Sequence, residues 1–205
     1  MTEEGPLDEL HEVMRRLRAE CPWKREQTHR TLARYLVEET HEVLEALDSG
    51  SADDLREELG DLLLQVYFHA AIAEEAGNFT LDDVARGITD KLYRRNPHVF
   101  AAATASDAAS VNELWESVKA REKPRSSIPD GLPETLPALL YADKVLDRLE
   151  RSGAPPPSLT ADLGDRLLAL VAEARETGAD PEQVLRDAVR RLLARPDRQV
   201  PTEYC

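Results

Sequence analysis

The chain has 205 residues, enough for one substantial domain or two small ones, and 41% of them are hydrophobic, enough to bury a core. Acidic residues outnumber basic ones by 40 to 26, and the formal charge of −14 repels nucleic acid and anionic membranes and favours cations. No apolar run approaches the ~18 residues that span a bilayer, and "MTEEGPLDEL" has neither the basic nor the apolar region of a signal peptide, so the expected location is cytoplasmic.

Taken in chain order, apolar residues recur at helical spacing between recognisable caps, and no sustained alternation of β-branched and aromatic residues interrupts them. The expected fold is all-α. A first amphipathic helix runs from Leu7 to Glu20 and stops at "CPW", because a proline restricts the residue before it. Cys21 and Cys205 form neither a disulfide framework nor a zinc spacing. Thr28 caps a second helix that runs to Asp48, and "DSGS" makes a turn. Ser51 caps a third over Ala52 to Ala76, closed by Gly77. Thr80 opens a fourth, through Arg95 and stopped by Pro97, and a fifth covers Val111 to Lys123. Short connections between helices of this kind build a bundle.

Residues 124–137, "PRSSIPDGLPETLP", hold four prolines and read as a linker. Beyond it, 163–195 aligns with 59–95: the Leu-Gly-Asp opening, a glycine break and a Val-to-Arg helix recur, as in an internal duplication. This second copy lacks the acid-rich helix and has Ala161 and Asp162 where the first has Glu57 and Glu58. The expected organisation is therefore a catalytic helical domain over 1–123, the linker 124–137, and a degenerate partial repeat with a tail over 138–205.

The chemistry concentrates in "YLVEETHEVLEALDSGSADDLREELGDLLLQV", residues 35–66. Leu32, Leu36, Glu39, Val43 and Ala46 share a stripe of the second helix, with Tyr35 and Glu42 at its border. On the third helix Asp61 shares a stripe with Leu64, Phe68 and Ile72, and Glu58 lies one turn before it. An antiparallel hairpin across the short turn makes the Glu39/Glu42 and Glu58/Asp61 pairs face one another. A single acid beside a core stripe usually reaches solvent or pairs with an arginine, here Arg34 or Arg56. Four at matched spacing repel one another and take up protons unless a cation lies between them. An all-oxygen donor set favours Mg²⁺, with Mn²⁺ as a substitute. Glu38 and His41 supply one Glu-x-x-His, but a ferritin-like di-metal bundle needs two, and there is no second. His41 and His69 read as surface and core-edge residues.

Mg²⁺ on protein carboxylates commonly keeps positions for substrate phosphate, which directs attention to cations near an aromatic. Lys91 and Arg95 are four apart on one helical face, and so are Trp115 and Lys119: amines for phosphate beside a ring that can stack on a base.

The blocks "CPWKREQTH", "EETHEVLEAL", "LREELGDLLLQV", "FTLDDVARGI", "KLYRRNPHVF" and "LWESVKAREK" closely resemble the MazG family of nucleoside triphosphate pyrophosphohydrolases, from about Leu7 to Lys123. The resemblance implies an all-α, intertwined homodimer that cleaves nucleoside triphosphates to monophosphate and pyrophosphate with Mg²⁺, tolerates many bases and clears aberrant nucleotides. By the same resemblance the metal ligands are Glu39, Glu42, Glu58 and Asp61, and Glu38 is a further ligand or orients water. Lys91, Arg95 and Lys119 hold phosphates, and Trp115 contacts the nucleoside. Two departures stand out: Lys24 where the family usually has aspartate, and the missing second acidic module. The alternatives are a narrower all-α pyrophosphatase acting on dUTP or a phosphoribosyl-ATP, and a regulatory nucleotide- or metal-binding module whose catalysis has lapsed.

Overall fold

A computed structural model describes residues 5–101, 103–122, 126–155 and 157–194, and all regular structure among them is helical. The chain divides into two compact units, Met1–Lys119 and Ala120–Cys205. In the first, α1 (Pro6–Glu20), α2 (Pro22–Glu26), α3 (His29–Ser49), α4 (Ala52–Glu75), α5 (Leu81–Arg95), α6 (Pro97–Phe100) and most of α7 (Ala108–Glu122) follow in order.

The caps lie where side-chain chemistry demands them. Thr28, Ser51 and Thr80 each accept a hydrogen bond from the backbone N–H three residues on, satisfying a donor that the first turn leaves orphaned. Gly50 and Gly77 end α3 and α4 with φ of 72° and 68°, the left-handed conformation that other residues resist. The short helices α2 and α6 were not expected. Pro22 and Pro97 end the helices before them, yet each also occupies the first turn of a new one, where its missing N–H costs nothing.

Helices α3 and α4 pack as an antiparallel hairpin, with α1 against α4. Met14, Leu32, Tyr67, Phe68 and Ala71 form the buried centre, flanked by Leu10, Tyr35, Leu63, Leu64, Ile72 and Leu81. Tyr35 therefore belongs to the core and Leu36, at 37% exposure, to the border, the reverse of the expected order. Arg18 ties three segments together: its guanidinium donates to both carboxylate oxygens of Glu75 and to the carbonyls of Lys24 and Gln27. That fork holds the Glu75 carboxyl below its ordinary range.

His29, in the first turn of α3, meets His69 of α4 with 2.8 Å between their Nδ1 atoms, ring planes 1° apart and centroids 5.1 Å apart. The centroid separation equals the N···N distance plus the two ring radii, so the rings lie end to end in one plane and share one proton. His69 Nε2 is buried with no protein partner, which favours the tautomer in which His69 donates from Nδ1 and keeps a bare Nε2 inside. A second proton would set two N–H groups against each other. Burial first, and His29 second, hold the His69 pKa below its ordinary value. A base whose folded pKa is lowered stabilises the native state above the unfolded value, about 6.5, and loses that contribution as pH falls through the folded value. The melting temperature of wild type relative to a His69→Gln variant should therefore drop as pH falls below about 6.5. A pH-independent difference between the two would rule the shared proton out. Subtraction matters because the raised carboxyls described below act in the opposite sense.

The second unit contains α8 (Ala138–Arg151), α9 (Leu163–Glu176) and α10 (Pro181–Leu193). Arg175 gathers it by donating to Asp143 (2.7 Å) and Glu150 (3.1 Å), and Arg148 donates to the carbonyls of Ile128 and Asp130 in the proline-rich stretch. Residues 126–137 carry no helix. The repeated Leu-Gly-Asp lies differently in the two units. Leu59 to Asp61 are inside α4, whereas Leu163 begins α9, Asp162 caps it, and Asp165 accepts hydrogen bonds from Thr160. The glycine break recurs in Gly178, with φ of 73°.

Candidate metal and nucleotide site

Glu39 projects from the middle of α3, and Glu58 and Asp61 from the α4 face opposite it. Their carboxylate oxygens come within 4.8 Å of one another, and all three residues are half-buried. Negative charges so close together disfavour one another's ionised form unless a cation lies between them, and two of the three carboxyls respond. The Glu39 carboxyl is pushed above its ordinary value by burial first, then by contact with the Glu42 carboxyl and by the charges of Asp61, Glu42 and Glu38. Glu58 is pushed up as well, by desolvation first, then by Glu42 and Asp61. Glu42 is exposed and stands beside the close trio. With Glu45, Asp54 and Glu58 it lines a cleft of about 370 Å³ at the end of the hairpin. Glu38 is exposed on the adjoining face.

The donor set is all oxygen and carries an excess of negative charge, so it fits a hard divalent cation and not a soft one. Among the described residues this is the grouping of three or more acid, histidine or cysteine side chains close enough to share an ion.

The basic and aromatic candidates lie on α5 and α7, and of these Arg95 and Trp115 meet across the two helices. Arg95 is buried and its guanidinium lies 5.3 Å from the centre of the Trp115 ring. Lys119 pairs with Glu116 at 2.9 Å, one turn along α7, and with none of the four acids. Lys91 is half-buried one turn before Arg95. Lys24 has a structural place: its ammonium lies 5.1 Å from the Phe68 ring centre and 5.6 Å from that of Trp23, while its carbonyl accepts from Arg18.

One residue beside the acids escaped notice in the sequence. Gln65, one turn after Asp61 on α4, is 5% exposed and directs its amide at Glu39 Oε1, 3.5 Å away. The i+4 spacing from Asp61 was the available signal.

Residues 27–100 match the MazG nucleotide pyrophosphohydrolase domain. The chain is 38% identical over 223 aligned residues to the nucleoside triphosphate pyrophosphohydrolase/pyrophosphatase MazG of Thermotoga maritima, covering 95% of this chain and 86% of that one. It is 46% identical to the nucleoside triphosphate pyrophosphohydrolase of Escherichia coli strain K12 over 153 residues, 72% of this chain and 58% of the relative. It is also similar to the crystal structure of a mazG-related protein from Thermotoga maritima, with a TM-score of 0.49, 27% identity, and coverage of 55% of this chain and 97% of that one.

Proposed function

The chain belongs to the MazG family of nucleotide pyrophosphohydrolases, and on that premise we propose that it hydrolyses nucleoside triphosphates, ribo- or deoxyribo-, to the monophosphate and pyrophosphate, with Mg²⁺ as cofactor and broad tolerance of the base. The observation that carries this reading is the trio Glu39, Glu58 and Asp61, with carboxylate oxygens within 4.8 Å of one another, on two helices that lie inside the matched residues 27–100.

Glu39, Glu58 and Asp61, with Glu42 beside them, would hold the cation. A cation held there supplies positive charge to the triphosphate and lowers the pKa of a nearby water. Glu38 lies on the adjoining face, where it can orient that water. Lys91, Arg95 and Lys119 bind phosphate oxygens and stabilise the charge that develops on the departing pyrophosphate, the larger part of catalysis in phosphoryl chemistry. Lys119 must exchange Glu116 for a phosphate to do so. Trp115, with Arg95 over its ring, contacts the base by stacking. Stacking reads any base, which suits clearance of aberrant nucleotides and does not suit selection of dUTP alone. The second unit acts as scaffold, because its Leu-Gly-Asp begins a helix and Asp165 is already engaged by Thr160.

A second copy of the chain completes the molecule in this reading. Val84, Ile88 and Leu92 follow at intervals of four along α5 and are 38%, 47% and 44% exposed; Leu59 and Val66 of α4 are 48% and 40% exposed. A homodimer covers these aliphatic side chains.

Pyrophosphate release measured over a panel of ribo- and deoxyribonucleoside triphosphates with Mg²⁺ tests the reading. Turnover of several bases at comparable rates is expected. Activity on dUTP or a phosphoribosyl-ATP alone would replace it with the narrower enzyme, and binding without release would replace it with the lapsed module.

A further inference from the structure

Along α4 the residues facing α3 pass from acid to apolar: Glu58, Asp61, Gln65, then Phe68 and Ile72. Gln65 is the last polar member of that row and the most deeply buried of the three polar ones, with 5% of its surface exposed. Its amide makes one long hydrogen bond, Nε2 to Glu39 Oε1 at 3.5 Å, and its Oε1 is buried with no protein partner. A half-satisfied amide in the core is a cost to the fold, because an acceptor taken out of water and left unpaired loses its hydration for nothing. Phe68, one turn further on, is 2% exposed, so an aliphatic side chain at 65 would continue a wall already built.

What the amide does is hold Glu39. Glu39 is the one member of the close trio that comes from α3, and it reaches across the hairpin on a side chain with three rotatable bonds toward two other carboxylates that repel it. A donor on one carboxylate oxygen removes much of that freedom and fixes the plane in which the other oxygen is presented. Asp61 is shorter, and among the described residues neither it nor Glu58 shows a side-chain hydrogen bond of this kind.

We propose that Gln65 is a positioning residue of the cation site: it holds the Glu39 carboxylate ready for the metal and is retained at a cost in stability for that purpose. The proposal rests on the reading of Glu39, Glu58 and Asp61 as a metal centre. It makes two expectations of opposite sign, which a merely structural glutamine would not produce.

The experiment uses the full chain and Gln65→Leu and Gln65→Met variants, the second keeping the length of the side chain. Mn²⁺ alone, without nucleotide, is titrated calorimetrically, and thermal melting is followed in chelator. Both variants should melt at or above the wild-type temperature in chelator and bind Mn²⁺ about tenfold more weakly, as losses of outer-sphere partners do. Unchanged Mn²⁺ affinity in a folded variant overturns the proposal. So does a lowered melting temperature in both variants, or failure of both to fold, since either makes Gln65 a structural residue. A wild-type chain that takes up no Mn²⁺ overturns the metal centre itself and this inference with it, whereas wild-type uptake with no loss in the variants overturns the role of Gln65 alone.

Discussion

Replacing Asp61 with asparagine should reduce pyrophosphate release by at least about 10²-fold at saturating Mg²⁺, the upper range reached by loss of an outer-sphere partner and so a floor for loss of a ligand. Asparagine keeps the shape of the side chain and one of its oxygens but removes a charge from a trio whose oxygens lie within 4.8 Å. The same change should raise the melting temperature of the metal-free protein. Asp61 is among the causes that push the Glu39 and Glu58 carboxyls up, and relief of that repulsion favours the folded state. Activity and stability therefore move in opposite directions, a pattern that misfolding does not give. Glu42→Gln, taken alongside, asks whether the exposed fourth acid belongs to the same centre. Near wild-type turnover by Asp61→Asn, with unaltered helical content, would remove the cluster from the mechanism.

Glutamate at Ile88 should convert a dimer into monomers. Ile88 is 47% exposed, so covering it contributes about half of the ~1.5–3 kcal/mol of a fully buried aliphatic side chain, and a carboxylate in its place adds a desolvation penalty of about 1 kcal/mol or more. In a symmetric dimer each change counts twice, so the dissociation constant should rise by about 10³-fold or more. Sedimentation at micromolar concentration reads the outcome. Mixing Asp61→Asn chains with Lys119→Ala chains then asks whether sites are shared. Partial recovery of activity is expected if Lys119 of one chain serves the acids of the other. An active wild-type monomer defeats the dimer, whereas a stable dimer with no recovery in mixtures removes only the sharing.

The long helices were legible because their ends depend on neighbours within three or four residues: Thr28, Ser51 and Thr80 cap, Gly50 and Gly77 reverse the chain, and each acts through its own backbone. Glu39, Glu58 and Asp61 were legible as a group for a related reason, since one hairpin with a short turn fixes which stripes face each other. Pro22 and Pro97 were read as stops alone, because the sequence marks that proline ends a helix more plainly than that it begins one. The His29–His69 pair was hidden by a separation of forty positions in sequence, and neither histidine has a local feature that selects the other. Arg18 was hidden likewise: an arginine on an amphipathic helix reads as solvated until α2 and the end of α4 close around it. At Leu36 and Tyr35 the stripe was right and its centre was displaced by one residue, which a period of 3.6 permits over so short a span.

The α3–α4 hairpin has one more consequence, for the order in which the molecule forms. Glu39 and Asp61 are twenty-two residues apart in sequence, and the turn between their helices is only Gly50 and Ser51. Closing so short a loop costs little entropy, and contacts local in sequence are made early. The two helices can therefore zip together before α1 and α5 dock on them. A hairpin that closes first brings the acids together before the rest of the core is in place, and their mutual repulsion would then slow the forward step. A divalent cation that relieves it would speed folding and, by staying bound, stabilise the finished protein before it served any substrate.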